Sequence, residues 1–200
     1  MTSRFFVFGS YSEGMVHWGR IAPMVQELEP AFLRGSAWLL KVGFPVMLQE
    51  GDDQVHGHVA TIRGSDLLLG LLDEFHGVSS VNPAQGLYYR VEVEVGRDAL
   101  GQGGAAWAYF MNPKKLPPSA TRVPGAHWRE ILAQQPPLVE QLTDRQREYL
   151  VKLSQASGRE IVPIQDLSLY RELMKLDLIV DKGRRLALSR FGQEVVRYLD

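Results

Sequence analysis

Hydrophobic and polar positions follow different periods in the two parts of the chain. Up to about residue 110, short apolar or alternating runs are separated by glycine and proline, which is typical of β-strands. The clearest run places Val91, Val93 and Val95 on one face. The pattern predicts strands at residues 5–9, 37–40, 46–48, 55–62, 87–95 and 105–110. Between them, leucines at helical spacing predict a helix over residues 65–77, with Ser65 as its N-cap and Gly77 as its terminator.

A proline-rich connector follows the last of these strands. Six of the eleven prolines lie between Pro113 and Pro137. Proline lacks a backbone donor and restricts the residue before it, so this stretch cannot be one continuous strand or a long helix. It has room for one short helix near residues 127–134. We therefore predict two domains, residues 1–135 and 138–200.

The second domain is predicted to be mainly helical. Thr143 is a suitable N-cap for an amphipathic helix that carries Tyr149, Leu150 and Leu153. A short helix or turn at residues 161–167, a helix at 168–180, a hairpin around Lys182-Gly183 and a final helix should follow. This order, with the phrase LxLSRFGQEVVxYL in residues 186–199, resembles winged-helix domains.

Composition excludes several classes of protein. The 200 residues carry 22 basic and 23 acidic side chains, 45% are hydrophobic, and none is cysteine. Such a chain should fold rather than remain disordered, and it has no disulfide or thiolate metal site. It contains no apolar run of about 18 residues and no signal-peptide pattern at its start. We expect a cytoplasmic protein of bacterial type that does not enter a membrane.

Several phrases occur in an order that suggests a family. The first strand ends in Phe8-Gly9-Ser10-Tyr11, and a Gly-x-Pro segment, a Val-x-Gly strand, LDEFHG, a Gly-x-Tyr strand, a Trp/Tyr strand and a Gly-x-x-Trp segment follow. Over roughly residues 4–132 this order resembles the gamma-glutamylcyclotransferase-like family. The resemblance implies an α+β fold, a small mixed β-barrel with packed helices.

The resemblance also implies a reaction. Family members cleave a γ-glutamyl amide without water, because the substrate's α-amine attacks its own γ-carbonyl and 5-oxoproline forms. A base must accept a proton and return it to the leaving amine, and backbone N–H groups must stabilise the oxyanion. These donors correspond to Gly9, Ser10 and Tyr11, and Tyr88 corresponds to a tyrosine that lines the pocket. No cofactor is implied.

The family's catalytic glutamate is replaced. In Leu72-Asp73-Glu74-Phe75-His76-Gly77, histidine stands at the glutamate position. Glu74 lies about 200° around the helix from His76 and should face elsewhere. We expect standard activity to be lost or altered, with a γ-glutamyl or amino-acid-like ligand still bound. The alternative is an active enzyme in which the His76 imidazole acts as the base.

The remaining histidines offer one further alternative. His56 and His58 share a strand face and, with His76, could supply three imidazoles to a metal ion. The alternation of Val55, Gly57 and Val59 favours both rings pointing to solvent or to the covering layer, so no metal site is expected. His17 and His127 are expected on the surface, and Tyr109 in the core.

The C-terminal domain carries candidate nucleic-acid contacts. They are Arg171, Lys175, Lys182, Arg184 and Arg185. A winged helix can place one helix in the DNA major groove and the wing along the backbone. Residues 138–200 contain 11 basic and 10 acidic side chains, however, a balance without the basic excess of most DNA readers. A ligand-responsive DNA-binding regulator, a protein-docking module and a homodimer remain alternatives.

Overall fold

The computed structural model describes residues 2–63, 65–97, 103–156 and 160–199. The chain forms two compact units, Met1–Gln134 and Gln135–Asp200. Within the described residues, no helix combines the length and the apolar character needed to cross a membrane.

A six-stranded mixed sheet forms the N-terminal unit. The strands are β1 (Thr2–Val7), β2 (Val25–Leu39), β3 (Pro45–Arg63), β4 (Tyr88–Glu94), β5 (Ala105–Met111) and β6 (Thr121–Val123). Their order in the sheet is β4-β5-β1-β3-β2-β6, and the pairing is antiparallel except between β1 and β5. Phe32 and Gly96 exchange two backbone hydrogen bonds of 2.8 and 2.9 Å, which join β2 to the chain just after β4 and curl the sheet. The predicted α+β fold is confirmed, and the mixed sheet curls into a half-barrel.

Two strands are much longer than predicted. β2 begins at Val25, and β3 continues through residues that the sequence pattern divided into two strands. The partner of β2 changes from Asp53 at Gly35 to Leu48 at Ser36, so residues 49–52 bulge out of the register. The bulge interrupts the alternation on which the prediction depended, while backbone pairing on both sides of it continues.

In the described residues, three α-helices accompany the sheet. They are α1 (Trp18–Ile21), α2 (Ser65–His76) and α3 (Trp128–Gln134). The predicted helices α2 and α3 are confirmed, whereas the predicted capping role of the Ser65 side chain lies outside the described part of the chain. Gly77 ends α2 in the left-handed region, at φ 60°, and the Val78 N–H donates to the Asp73 carbonyl over 2.9 Å. This type of helix end favours glycine because a side chain is strained at positive φ.

Core side chains pack on both faces of the sheet. Because successive strand residues point to opposite faces, Phe5 and Phe6 belong to different clusters. The Phe6 cluster includes Val59, Phe110 and Trp128. The Phe5 cluster includes residues of α2, and Tyr109 lies half-buried beside it.

The described residues of the C-terminal unit form four helices and a hairpin. They are α4 (Leu138–Gln141), α5 (Asp144–Gln155), α6 (Leu167–Lys175), β7 (Ile179–Asp181), β8 (Leu186–Leu188) and α7 (Arg190–Val196). Thr143 caps α5 as predicted. The short helix or turn predicted at residues 161–167 is wrong, because residues 160–166 have no regular structure. Pro163 interrupts helical hydrogen bonding there, and the Val162 carbonyl instead accepts from the Tyr149 hydroxyl over 3.2 Å. The winged-helix assignment stays a prediction.

Candidate functional site

A tight turn follows strand β1. Residues Gly9–Tyr11 form one turn of 3-10 helix, and Gly9 has a φ of 61°. A Cβ atom at Gly9 would lie 2.7 Å from the Pro45 carbonyl oxygen. The position therefore requires glycine both because of its positive φ and because there is no space for a side chain. The first N–H groups of such a turn have no partner inside it. Gly9, Ser10 and Tyr11 are therefore suited to present donors.

His76 lies among aromatic rings near this turn. Its half-buried ring stacks on Tyr109, with centroids 4.0 Å apart and planes 9° apart. Tyr11 is 5.5 Å away at 27°, and Tyr88 presents its edge at 5.1 Å. The structure thus brings together His76, Tyr11 and Tyr88 from the predicted site. We call these three residues with Tyr109 the His76 cluster.

A hydrogen bond defines the chemistry of the His76 ring. Nδ1 lies 2.8 Å from the Leu72 carbonyl oxygen. Because a carbonyl only accepts, Nδ1 carries the proton; when the ring is neutral, the lone pair is therefore on Nε2. The backbone of α2 therefore orients the imidazole with Nε2 as its basic atom.

A paired carboxylate beside His76 was missed by sequence reasoning. Arg90 Nη1 donates to both oxygens of Asp73 over 3.0 and 2.9 Å, and the Tyr109 hydroxyl donates to one of them over 2.8 Å. Burial, and then the hydrogen bond to Asp73, raises the pKa of Tyr109 above its usual range. Asp73 precedes His76 by three residues, a spacing that places both on one helix face. This three-residue spacing was the signal in the sequence that could have identified Asp73 as a neighbour of His76.

His17 contradicts its predicted surface position. Its side chain is fully buried, with Nδ1 3.1 Å from Ser10 Oγ and the ring edge against Phe75 at 4.5 Å. The His17 N–H also donates to the Ser10 carbonyl over 2.9 Å. His17 therefore braces the donor turn. The local pattern does not signal this burial, because the ring contact with Phe75 joins segments that are far apart in the sequence. His127 is exposed, as predicted, and pairs with Glu130.

The charges around the His76 cluster do not favour an ammonium group. Burial raises the pKa of Tyr11 to about 12, and Arg20 opposes the shift. The Arg20 guanidinium also lies 5.5 Å from the Phe75 ring centre. Of the acidic side chains that the structure describes on α2, Asp73 is paired with Arg90 and Glu74 is exposed. These two acids therefore leave no uncompensated carboxylate toward His76.

The other imidazoles do not form a metal centre with His76. His56 is exposed and His58 is half-buried on β3. Across the described ranges, no group of three or more histidine, cysteine, aspartate or glutamate residues is placed to hold a metal ion. The three-imidazole alternative thus has no geometric support.

The predicted nucleic-acid residues are exposed on the C-terminal unit. Arg171 and Lys175 lie on α6, while Lys182, Arg184 and Arg185 lie on the hairpin. Glu172 lies among them on α6 and accepts hydrogen bonds from Gln146 and Ser168 over 2.9 Å. Its negative charge reduces the positive character of this surface.

The curled sheet, the turn after β1 and the end of α2 define a cyclotransferase-like fold. The chain belongs to the family described as gamma-glutamyl cyclotransferase, AIG2-like, whose model matches residues 5–130. None of the proteins with curated functions matches the sequence significantly.

Several solved structures are similar to this chain. YkqA from Bacillus subtilis is 22% identical, with a TM-score of 0.49 over 67% of this chain and 42% of its own. This chain thus spans about two fifths of YkqA. An AIG2-like protein from Mus musculus is 16% identical, with a TM-score of 0.45 over 58% of this chain and 80% of its own. An Arabidopsis thaliana protein is 23% identical, with a TM-score of 0.47 over 83% of this chain and 96% of its own.

Proposed function

We propose that the N-terminal unit binds a γ-glutamyl or amino-acid-like small molecule between the Gly9–Tyr11 turn and His76. We further propose that standard cyclotransferase activity is lost or altered. The observation that carries this proposal is the His76 imidazole, stacked on Tyr109 beside Tyr11, at the helix end where the family resemblance implies a glutamate.

The chemistry explains why this replacement matters. Ring closure requires the α-ammonium group to lose a proton before its nitrogen attacks the γ-carbonyl. A carboxylate both attracts the ammonium group and accepts its proton, whereas a neutral imidazole can accept the proton but carries no negative charge to attract the ammonium group. Asp73 does not replace the missing charge, because Arg90 already pairs with it. A bound γ-glutamyl group would therefore react slowly or not at all.

The fixed tautomer of His76 favours a second candidate, an active enzyme. Nε2 would take a proton from the α-ammonium group, and the amine would attack the γ-carbonyl carbon. Backbone N–H groups of the turn would hold the oxyanion. Attack leaves the ring nitrogen positively charged, so it must lose a second proton to become the lactam N–H. As the C–N bond to the leaving amine breaks, protonated His76 would donate its proton to that nitrogen, and the second proton would pass to the released amine, giving 5-oxoproline and an ammonium ion.

Release of 5-oxoproline from γ-glutamyl-alanine by the purified full chain separates the two candidates. Lost activity predicts that the wild type binds the dipeptide without releasing 5-oxoproline. Release by His76→Glu would then show that the site lacks only its carboxylate. Release by the wild type that disappears in His76→Gln but persists in Glu74→Gln would assign the base to His76. If calorimetry detects no dipeptide binding to the wild type or to His76→Glu, both candidates are wrong.

A ligand-responsive DNA-binding regulator is a separate proposal for the C-terminal unit. Exposed cations on α6 and the hairpin support it, and Glu172 opposes it. Gel-shift binding that falls steeply with salt, and that weakens in the Arg184→Ala, Arg185→Ala double variant, would support DNA contact. No binding at low salt would exclude it and favour docking or dimerisation.

A further inference from the structure

A concave site separate from the His76 cluster lies on the N-terminal unit. The cavity measures about 390 Å³ and lies between β2, β3 and the first turn of α3. We call it the Trp128 groove. Its lining includes Phe32, His56, His58, Arg97, Trp128 and Arg129. The volume lies within the usual range for small-molecule pockets.

The groove contains a positioned guanidinium group. Trp128 is 2% exposed, its Nε1–H donates to the His56 carbonyl over 2.8 Å, and Phe8 packs against its ring edge-on at 5.0 Å. Arg129 lies over this fixed ring at 4.9 Å, and its Nη1 donates to the Glu13 carbonyl over 3.3 Å. Stacking and this bond hold the guanidinium, which has five N–H donors in total.

The charges on the lining indicate what the groove can bind. Arg97 already pairs with Glu29, and the Glu130 side chain is 71% exposed, with one carboxylate oxygen 3.1 Å from His127 Nδ1. Burial, followed by the charge of Arg129, lowers the pKa of His58, and Glu13 opposes this shift. Arg129 and Glu13 are the charged groups that act on His58, and His56, Arg97 and Glu130 line the same groove. One guanidinium beside a largely neutral imidazole suits a group with a single negative charge better than a dianion.

We propose that the Trp128 groove binds the carboxylate of a small organic acid, with Arg129 as its cation and Phe32 and Pro30 beside its apolar part. A carboxylate is planar and carries one charge, so it can pair with a guanidinium through two parallel hydrogen bonds. Ala31 and Gly57, which pair across β2 and β3, also line the groove. The groove does not involve His76, and the proposal is independent of the reaction considered above.

NMR titration of the full chain with three probes tests this proposal. The probes are phenylacetate, its uncharged analogue phenylacetamide, and inorganic phosphate. Phenylacetate should shift the His58 ring and Trp128 indole signals, and it should raise the pKa of His58 because a negative charge then lies nearby. Phenylacetamide should bind at least about tenfold more weakly, the ratio that ~1.4 kcal/mol produces. Phosphate should also bind more weakly than phenylacetate.

Variants identify the cation. Arg129→Gln should weaken phenylacetate binding at least about tenfold, and Arg129→Lys should restore part of it. Arg122→Gln is the control, because Arg122 is an exposed guanidinium paired with Asp53 outside the groove. Equal affinity for acid and amide, tighter binding of phosphate, or shifts at Tyr11 and His76 instead of His58 would each overturn the proposal. So would the absence of binding up to about 10 mM, well above the ~1 mM range of weak sites.

Discussion

The His76 cluster and the Trp128 groove occupy different parts of one unit and differ in how their polar groups are satisfied. In the cluster, His76 Nδ1 bonds a backbone carbonyl and Tyr109 bonds Asp73. In the groove, Nδ1 of His58 is buried and makes no hydrogen bond with the described residues. The cluster is therefore arranged before a ligand arrives, whereas the groove has a polar atom whose environment a ligand would change.

The comparison shows that one residue type takes its role from its surroundings. His76 has its tautomer fixed by Leu72, His17 braces the donor turn through Ser10, and His58 has its pKa lowered by burial. Substitutions that remove internal partners should therefore affect the cluster more strongly than equivalent substitutions at exposed pairs.

The largest effect is expected at the ion pair of the cluster. Arg90→Met leaves the half-buried Asp73 carboxylate without its cation, which should lower the free energy of unfolding by about 3 kcal/mol. Arg122→Met removes a guanidinium at the same 2.9 Å from Asp53, but that pair is exposed, and the loss should stay within about 0.5 kcal/mol. Urea unfolding measures both. Equal losses would show that the Asp73 pair has no special role in the cluster.

The donor turn should show the next largest effect. Gly9→Ala places a side chain at positive φ and against the Pro45 carbonyl, and we expect a loss of about 2 kcal/mol. Gly14→Ala is the matched control, because Gly14 also has a positive φ but open space around it, so it should lose only about 1 kcal/mol. The difference between the variants isolates the Pro45 contact. Identical unfolding curves would contradict the crowding seen at Gly9.

Local patterns predicted much of the fold because some elements depend on nearby residues. The capped α5, the leucine-rich α2 ended by Gly77, and β4 with its alternating valines are examples. β2 was largely missed because residues 25–34 mix polar residues, proline and apolar residues. That segment is held by pairing with β3, whose partners lie 20 or more residues away, and no local period records such pairing.

The candidate site likewise contains residues that the sequence identified and residues that only the fold brings together. The order of motifs identified Gly9–Tyr11, His76 and Tyr88, because each belongs to a phrase read along the chain. The Asp73–Arg90–Tyr109 contacts join α2, β4 and β5 and exist only after the sheet has formed. His17 was placed on the surface because its partners Ser10, Tyr11 and Phe75 are brought together by the fold.

The dependence of stability on alkaline pH should show that the Tyr11 phenol is buried. The pKa of Tyr11 is raised from 10.0 to about 12, so the folded state retains the proton that the unfolded state loses above pH 10. The resulting stability is present below pH 10 and is lost as the pH rises toward 12. Between about pH 9 and 11 the wild type should lose about 1 kcal/mol more than Tyr11→Phe. Parallel pH profiles would show that Tyr11 is not desolvated.

The smallest effect is expected at the wall of the groove. Trp128→Phe removes the Nε1–H donor and leaves the His56 carbonyl without it, which should lower the free energy of unfolding by about 1 kcal/mol. Trp38→Phe is the comparison, because Trp38 donates to the Ser36 hydroxyl, and a hydroxyl can rotate toward another partner. If Trp38→Phe costs as much as Trp128→Phe, the bond to His56 adds nothing specific to this wall. A larger cost at Trp128, together with weaker phenylacetate binding, would mean that the indole both supports the strand and holds the Arg129 guanidinium in place.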